Sequence, residues 1–313
     1  MLLELISSLT LLEEEYILNI AQTSSKRYKK FYISKKNGKL RAIYHPSKEL
    51  KGIQRVIHNE LLQKLPTHPA SAAYKQGCSI KKHAEQHKKC KYLLRLDFKN
   101  FFESISEIDI RFFARKNLIG VIKGWSEEDT KLLVELATFK GGLTIGSITS
   151  PLLSDALCYQ LDVALFSLSH VLGVTYTRYA DDLYFSTNHR NILKNIPSNV
   201  DSIIKKLEYP NRLEINHSKT NHSSKKNRMM VTGLTLTNDF NVSIGRSKKR
   251  EIRSKIYKWS ELNKDDKLHL SGYLSYIKSV EPSFINTLCG KYGATIIQNI
   301  ITFNSKKDTN LKS

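Results

Sequence analysis

The sequence is poor in cysteine, has no long apolar run and is short of acidic residues. Its four cysteines are spread over 313 residues without a Cys-x-x-Cys pair, which is typical of a reducing compartment and excludes a disulfide scaffold. No run approaches the roughly 18 apolar residues of a membrane-spanning helix. Residues 1–21 are rich in Leu and Ile but carry four Glu and no Lys or Arg, the opposite of a signal peptide. These absences predict a cytoplasmic protein with no membrane partner.

Basic residues, by contrast, are abundant. Lys and Arg number 50 against 29 Asp and Glu, which gives a formal net charge of +21. The chain is also 40% hydrophobic and contains 15 Tyr and 12 Phe, so it can build a folded core instead of remaining disordered. A folded polycation needs a polyanionic partner, and nucleic acid is the usual one.

Local patterns predict helices interleaved with short strands. Residues 1–21 have the spacing of one amphipathic helix that packs on the body. Alternating stretches at residues 28–33 and 40–44 flank an Asn-Gly hairpin-turn signal. Ser47 is placed to cap a helix with an apolar stripe that ends at Leu65.

The second half of the chain continues in the same way. The pattern is helical on both sides of a glycine loop at 141–146, and the runs 174–179 and 183–186 form a hairpin with acids at its tip. We expect further strands at 212–216, 229–236 and 240–244. Beyond Gly245 the chain becomes helical and rich in Lys and Arg, which predicts a domain boundary there.

Three aspartates are placed to converge. Asp181 and Asp182 lie at the tip of the predicted hairpin, and Asp97 ends a strand-like run at 92–96. Adjacent like charges in a turn cost stability unless a cation lies between them. Carboxylates at strand ends, with open positions for substrate phosphates, suit a two-Mg²⁺ site for phosphoryl transfer.

A solvated acidic hairpin tip would also explain the Tyr-x-Asp-Asp sequence at 179–182, which arises by chance in about 2% of chains of this composition. A solvated tip, however, does not require an Asp-x-x-x-Phe-Phe segment upstream, a glycine loop between the two and Lys-rich surroundings, all in one order.

Taken in order, these segments resemble the motifs of reverse transcriptases, and within them those of the bacterial retron type. Residues 97–102 (DFKNFF) resemble motif A, 146–151 (GSITSP) motif B and 179–182 (YADD) the catalytic motif C. The fingers motif, motif D and the Val-Thr-Gly signature of retron enzymes are matched by 41–47 (RAIYHPS), 216–220 (NHSKT) and 231–234 (VTGL). The resemblance covers about residues 25–280, and six ordered motifs are far more specific than any one.

The resemblance implies an α+β fold, that of a right-hand polymerase with fingers, a palm whose antiparallel sheet carries the catalytic carboxylates, and a helical thumb. The domains it implies are an N-terminal helix at 1–24, fingers at 25–92 with a helical insertion at 110–145, a palm at 93–244, an RNA-binding thumb at 245–303 and a flexible tail at 304–313.

The resemblance also implies the roles of single residues in catalysis. Asp97, Asp181 and Asp182 would bind two catalytic Mg²⁺ ions. Lys219 matches the motif D lysine that donates a proton to the leaving pyrophosphate.

Four further residues would bind the nucleotide. Lys39 and Arg41 would grip the triphosphate. Phe102 matches the steric gate that favours dNTPs, and Gly146 would let the backbone approach the template–nucleotide pair. Motif B departs from the family pattern, since Ile145 stands where Gln is usual.

The residues predicted to bind RNA lie in the basic thumb helix, with one histidine in addition. The retron Asn-Ala-x-x-His element appears with His83 in place of Asn, although His87 is retained. A solvated helix face would also explain the basic helix, but acids are too few there to neutralise it. The predicted RNA-binding residues are His87, Arg246, Lys248, Lys249, Arg250, Arg253 and Lys255.

One alternative metal site can be drawn from Cys78, His83, His87 and Cys90, whose types and spacing could suit zinc. No Cys-x-x-Cys knuckle anchors that set, which favours packed thiols instead.

The function that the resemblance implies is synthesis of DNA from dNTPs on a structured cognate non-coding RNA. Priming from the 2′-OH of an internal guanosine would give a branched RNA–DNA hybrid (msDNA), within an anti-phage defence system that has a separately encoded effector protein. Two alternatives remain. A group II intron-type reverse transcriptase is disfavoured because we expect no room after the thumb for maturase segments. A polymerase-derived RNA-binding protein without catalysis is the other.

Overall fold

The computed structural model describes residues 1–34, 38 and 40–304. In chain order, its α-helices are α1 (Leu2–Thr10), α2 (Glu14–Gln22), α3 (Lys48–Glu60), α4 (Ile80–His87), α5 (Glu107–Asn117), α6 (Glu127–Ala137), α7 (Ser150–Leu157), α8 (Tyr159–Val171), α9 (Ile196–Ile204), α10 (Arg246–Tyr257), α11 (Lys264–Val280), α12 (Pro282–Tyr292) and α13 (Ala294–Ile301). Its strands are β1 (Tyr28–Ser34), β2 (Leu40–Pro46), β3 (Tyr92–Asp97), β4 (Thr175–Tyr179), β5 (Asp182–Thr187), β6 (Asn221–Ser224), β7 (Met229–Val231), β8 (Leu234–Leu236) and β9 (Val242–Ser243).

The chain divides into two compact units that do not follow the order of the sequence. Residues 1–78 and 92–222 form the first unit, and residues 79–91 join the chain from 223 onward in the second. The segment that carries α4 therefore interrupts the first unit in sequence but belongs to the second in space.

A continuous apolar core fills the first unit. Helix α3 contributes Leu50, Ile53 and Ile57, all fully buried as its three- and four-residue spacing predicts. Ser47 caps this helix, since its hydroxyl accepts a hydrogen bond from the Leu50 N–H at 3.3 Å. The strands β3 and β5 contribute buried alternate residues, such as Leu94 and Leu96, to the same cluster.

Two sheets position the site residues of the first unit. The antiparallel pair β1–β2 confirms the predicted hairpin. The four-stranded sheet has the order β4-β5-β3-β6, with β5 antiparallel to both β4 and β3. The ends of β3, β4 and β5 thus meet at one edge.

The second unit combines a small sheet with helices. The antiparallel sheet β7-β8-β9 packs against α4. Helices α11, α12 and α13 pack on one another through buried residues such as Leu274, Leu288 and Ile297.

Several sequence-based boundaries were wrong. Residues 1–21 form two helices instead of one, because Leu11 takes a left-handed conformation (φ 58°) that ends α1. Residues 229–236 form two strands, since Thr232 and Gly233 turn the chain with positive φ. The region 212–216 makes only an isolated bridge, between Ile215 and Phe98.

The domain boundary expected near Gly245 also differs from the structural division, which falls at 222/223. The charge pattern changes at Gly245, but packing does not, because β7, β8 and β9 pack with α4 in the same unit as α10. Most of the expected tail lies outside the described residues.

Within the part of the chain that the structure describes, no single helix is long and apolar enough to cross a membrane. Helices α7 and α8 together have the necessary length and composition, but the pair is bent by 51°.

Candidate active site

The structure brings the three predicted aspartates to one end of the four-stranded sheet. Asp97, the last residue of β3, lies directly opposite Asp182, the first residue of β5. Asp181 occupies the turn between β4 and β5, where its carbonyl accepts a hydrogen bond from the Phe98 N–H at 3.0 Å. Ala180 makes the turn possible with a φ of 56°.

The electrostatics of this cluster reflect its crowding. Burial raises the pKa of Asp181, and the charge of Asp97 adds to the effect. Burial raises the pKa of Asp182 to about 6; Arg95 opposes that shift, and the charges of Asp181 and Asp97 reinforce it. Carboxylates that repel one another in a partly desolvated site favour the approach of a cation.

Lys219 supplies one such cation within the site. Its Nζ lies 2.7 Å and 3.0 Å from the two carboxylate oxygens of Asp97. The backbone places it there, because the Asn216 N–H donates to the Asp97 carbonyl at 2.7 Å and starts the 3-10 turn His217–Lys219. Of the predicted site residues, Lys219 and the three aspartates are therefore together.

The donor set fits hard divalent cations, because carboxylate oxygens are the ligands that Mg²⁺ prefers. In this conformation, however, no three His, Cys, Asp or Glu side chains of the described residues are close enough to hold one ion between them. Asp97 also accepts from Lys219 in this conformation, so Lys219 and a metal ion would share its carboxylate oxygens.

The predicted nucleotide-binding residues are only partly brought to the site. Arg41 lies exposed on β2. Burial raises the pKa of Asp181, and the charge of Arg41 is among the smaller influences that oppose this rise. Phe102 is half-buried and packs against Phe101 with ring centroids 5.4 Å apart. Lys39 lies outside the described residues.

Gly146 is needed for a reason that the sequence did not reveal. A Cβ on this residue would lie 2.4 Å from the Tyr44 carbonyl oxygen, and its φ is 110°. The Tyr44 N–H donates to the Ile145 carbonyl at 2.9 Å. The glycine thus allows the loop before α7 to pack against β2.

In the predicted RNA-binding helix α10, only some of the basic side chains are free of acidic partners. Its lysines are largely engaged: Lys248 pairs with Glu251 at 2.8 Å, Lys249 with Glu281 at 2.5 Å and Lys255 with Asp266 at 2.8 Å. Two of these partners come from outside the helix, from α11 and from the residue before α12, so the few acids of α10 itself do not set how many of its lysines are paired.

The arginines of α10 differ from its lysines. The Arg253 guanidinium stacks on Phe284 at 5.2 Å from the ring centroid. Arg246 and Arg250 are exposed, and neither forms an ion pair with any residue that the structure describes. These two arginines are the cations of α10 that are most accessible to a polyanion.

A basic cleft of about 1060 Å³ lies entirely within the second unit. It is lined from α4, from the segment before β7, from the β8–β9 turn and from the first turns of α10 and α12. Its cationic lining residues are Lys81, Lys88, Lys225, Arg228, Arg246 and Lys249.

The prediction that His87 binds RNA is contradicted by its burial. The side chain is completely buried in α4 beside His83, whose ring lies 5.6 Å away. Burial lowers the pKa of His87 to about 3 and that of His83 to about 4. Both histidines are therefore neutral packing residues of the second unit.

The zinc alternative gains no support either. The described residues contain no group of three or more metal-ligating side chains, and Cys78 is exposed whereas Cys90 is buried.

Sequence reasoning missed a buried charged residue beside the aspartates. Arg178 precedes Tyr179 in β4 and is completely buried between Asp155 and Asp162. The sequence did offer a signal, because Arg178 stands alone in a run of β-branched and aromatic residues. An Arg in such a strand is rarely buried unless acidic residues pair with it.

Comparisons with known proteins identify the family of the chain. A family model described as reverse transcriptase (RNA-dependent DNA polymerase) matches residues 33–236. The chain is 35% identical to the retron Ec83 reverse transcriptase of Escherichia coli over an alignment of 287 residues, and the match covers 87% of this chain and 89% of that protein. It is also 35% identical to the retron Ec73 reverse transcriptase of Escherichia coli over an alignment of 310 residues, and that match covers 95% of this chain and 97% of that protein.

Among solved structures, telomerase from Candida tropicalis in complex with a fragment of telomeric RNA is similar at a TM-score of 0.50 and 12% identity. The match covers 88% of this chain and 57% of the telomerase chain, so this chain spans little more than half of that structure. The likeness concerns the fold alone. Together with the family match it confirms the expected α+β, right-hand polymerase fold.

Proposed function

The chain belongs to the reverse transcriptase family and is an RNA-directed DNA polymerase of the retron type; on that premise we propose that Asp97, Asp181 and Asp182 form its catalytic site and hold two Mg²⁺ ions. The observation that carries the proposal is the pairing of Asp97 with Asp182 across β3 and β5, beside the turn that holds Asp181. Reverse transcriptases use divalent metal ions, and the raised pKa values of Asp181 and Asp182 mean that cations would relieve the repulsion.

In the proposed reaction, a hydroxyl oxygen of the primer attacks the α-phosphorus of a dNTP. A phosphodiester bond forms, the proton of the hydroxyl passes to solvent, the bond from the α-phosphorus to the bridging oxygen breaks, and pyrophosphate leaves. Bound Mg²⁺ would activate the hydroxyl and neutralise charge on the phosphate oxygens. Lys219, whose Nζ lies 2.7 Å from an Asp97 carboxylate oxygen, donates a proton to the leaving pyrophosphate.

The neighbouring residues select and orient the nucleotide. Arg41, whose charge reaches Asp181, binds the triphosphate, as does Lys39. The Phe102 ring is braced by Phe101, and so presents a rigid face that excludes a ribose 2′-OH and favours dNTPs. Gly146 contributes by fixing the loop before α7 against β2.

The proposed template is a structured cognate RNA, bound through phosphate contacts by the basic cleft and by the exposed arginines of α10. Priming from the 2′-OH of an internal guanosine yields branched msDNA. The product remains an RNA–DNA hybrid, and we place it in a cytoplasmic anti-phage defence system with a separate effector protein.

The Asp181→Asn/Asp182→Asn variant tests the catalytic assignment. We expect DNA synthesis in a single-nucleotide incorporation assay to fall more than about 1000-fold. Because the ionised carboxylates are unfavourable where they are buried, the variant should keep its fold, and its thermal melting and RNA affinity are the controls. Undiminished synthesis would contradict the site assignment and would remove the case for these carboxylates as metal ligands.

The retron assignment is tested with two templates. Synthesis on the cognate RNA, identified by sequencing the RNA that co-purifies with the protein, is compared with synthesis on a generic RNA with an annealed DNA primer. We expect self-primed synthesis on the cognate RNA and a branched product that resists separation by denaturation. Efficient use of the generic primer with indifference to the cognate RNA would favour a group II intron-type enzyme.

A further inference from the structure

Arg178 is the largest fully buried side chain in the molecule's described part. Its Nε and one terminal nitrogen donate to the two carboxylate oxygens of Asp162, at 2.8 Å and 2.5 Å. The same terminal nitrogen donates to Asp155 at 2.9 Å. Since Asp155 lies on α7 and Asp162 on α8, one guanidinium ties both helices to β4.

The third nitrogen of Arg178 points toward the catalytic turn. It donates to the Ala180 carbonyl at 3.4 Å, and Ala180 holds a left-handed conformation immediately before Asp181. The backbone of Arg178 is fixed as well: its N–H donates to the Ala70 carbonyl at 2.9 Å, and its carbonyl accepts from the Ala72 N–H at 2.8 Å.

Two further hydroxyl groups join the network. The Tyr176 hydroxyl donates to Asp162 at 2.7 Å, and the Ser71 hydroxyl donates to Asp155 at 2.5 Å. Burial raises the pKa of Asp155 even though Arg178 opposes it. Burial alone would lower the pKa of Arg178, but the neighbouring carboxylates raise it.

A stabilising role alone does not account for this arrangement. Buried ion pairs are often no more stabilising than apolar residues of similar volume, because desolvation offsets the Coulomb attraction. An apolar side chain has no donor for the Ala180 carbonyl and cannot fix its direction. A planar guanidinium can, because its several N–H donors are held in a fixed geometry.

We propose that Arg178 is a positioning residue for DNA synthesis: with Asp155 and Asp162 it sets the left-handed turn at Ala180, and so sets the direction in which Asp181 and Asp182 face Asp97. This inference rests on the proposed role of those three aspartates.

The principal test is Arg178→Lys, which keeps the positive charge but loses the planar fork. We expect kcat for single-nucleotide incorporation to fall by about 100-fold, the size of effect that a displacement of about 1 Å has on reacting groups. The Mg²⁺ concentration for half-maximal activity should rise. The KM for dNTP and the affinity for RNA should change by less than about twofold, because Arg178 touches neither.

Tyr176→Phe is a second variant that keeps the buried volume and removes only one hydrogen bond to Asp162. It should shift the Mg²⁺ dependence in the same direction by a smaller factor. The matched control is Asp129→Asn, in the capping box of α6, which should lower the melting temperature without changing kcat per folded molecule or the Mg²⁺ dependence.

Four results separate the possibilities. A folded Arg178→Lys with kcat and Mg²⁺ dependence like the parent would overturn the inference, as would an Asp129→Asn variant with the same kinetic changes. If Arg178→Lys does not fold, an unchanged Mg²⁺ dependence of Tyr176→Phe would overturn it. Full activity of Asp181→Asn/Asp182→Asn would instead contradict the proposed function itself.

Discussion

Gly146 shows how a single residue serves two neighbours. The sequence suggested that its missing side chain makes room for the template–nucleotide pair. The structure shows that a side chain would collide with the Tyr44 carbonyl, 2.4 Å from the ideal Cβ position. The loop before α7 can therefore approach strand β2 this closely only if residue 146 is glycine.

We predict that Gly146→Ala lowers both stability and activity. Overpacking against a backbone oxygen cannot be relieved by rotating a side chain, so we expect a loss of about 2 kcal/mol or more in the free energy of unfolding. The control is Gly173→Ala, because Gly173 also has a positive φ (62°) but has no atom within 4 Å of the Cβ position. Urea denaturation of both variants measures the difference; equal losses would show that φ strain, not the collision, is responsible.

At the scale of elements, the number of basic residues in α10 does not give the number of cations that are free to bind RNA. Its lysines face acids of its own unit, and its arginines at 246 and 250 face solvent. RNA affinity should therefore depend on the arginines more than on the lysines.

We predict that Arg246→Ala and Arg250→Ala each weaken RNA binding, and each reduce the slope of log affinity against log salt by about 1. Lys255→Ala, which removes the ion pair with Asp266, is the comparison and should leave that slope unchanged. Filter-binding titrations across a salt series provide the measurement. A larger effect of Lys255→Ala than of either arginine variant would show that the ion pair opens when RNA binds.

Helix α4 supplies a pH-dependent prediction. Burial lowers the pKa of His83 to about 4 and of His87 to about 3, whereas in the unfolded chain each titrates near 6.5. Below pH 6.5 the unfolded chain binds protons that the folded chain does not, so stability falls as the pH falls toward 4. Each histidine contributes up to about 1.4 kcal/mol per pH unit in that window.

The measurement is urea denaturation at pH 7.5 and pH 5.5, followed by a signal from the second unit. His83→Asn should give a smaller difference between the two pH values than the parent chain does, because one titrating group is removed. A pH dependence that is the same in both proteins would contradict the assignment to His83.

At the scale of the whole molecule, the second unit is assembled from two separate stretches of sequence. Residues 79–91 carry α4, which packs on β7, β8 and β9. The C-terminal stretch alone would expose the sheet face that α4 covers.

We predict that a fragment of residues 223–304 does not fold cooperatively by itself, and that joining residues 79–91 to it through a flexible glycine-serine linker restores a cooperative thermal transition. Circular dichroism melts of the two fragments make the comparison, and a scrambled 79–91 segment is the control. A cooperative transition in the fragment without α4 would show that the division at 222/223 is sufficient for folding.

Local sequence determined much of this molecule. The hairpin β1–β2, the Ser47-capped helix α3 and the strands around Asp181 and Asp182 were all predicted, because apolar periodicity and turn residues act over a few neighbours. The order of the motifs identified the family, and with it the three aspartates, before any contact was known.

Tertiary structure alone decided which groups meet across long separations. It placed Asp97 opposite Asp182, brought residues 79–91 to the C-terminal unit and buried His87, which the sequence had assigned to RNA. It also gave the lysines of α10 their acidic partners and placed Arg178 between Asp155 and Asp162, with a hydrogen bond to the Ala180 carbonyl. The reason is physical: burial and pairing depend on residues distant in sequence, and local patterns carry no record of which distant residue will be the neighbour.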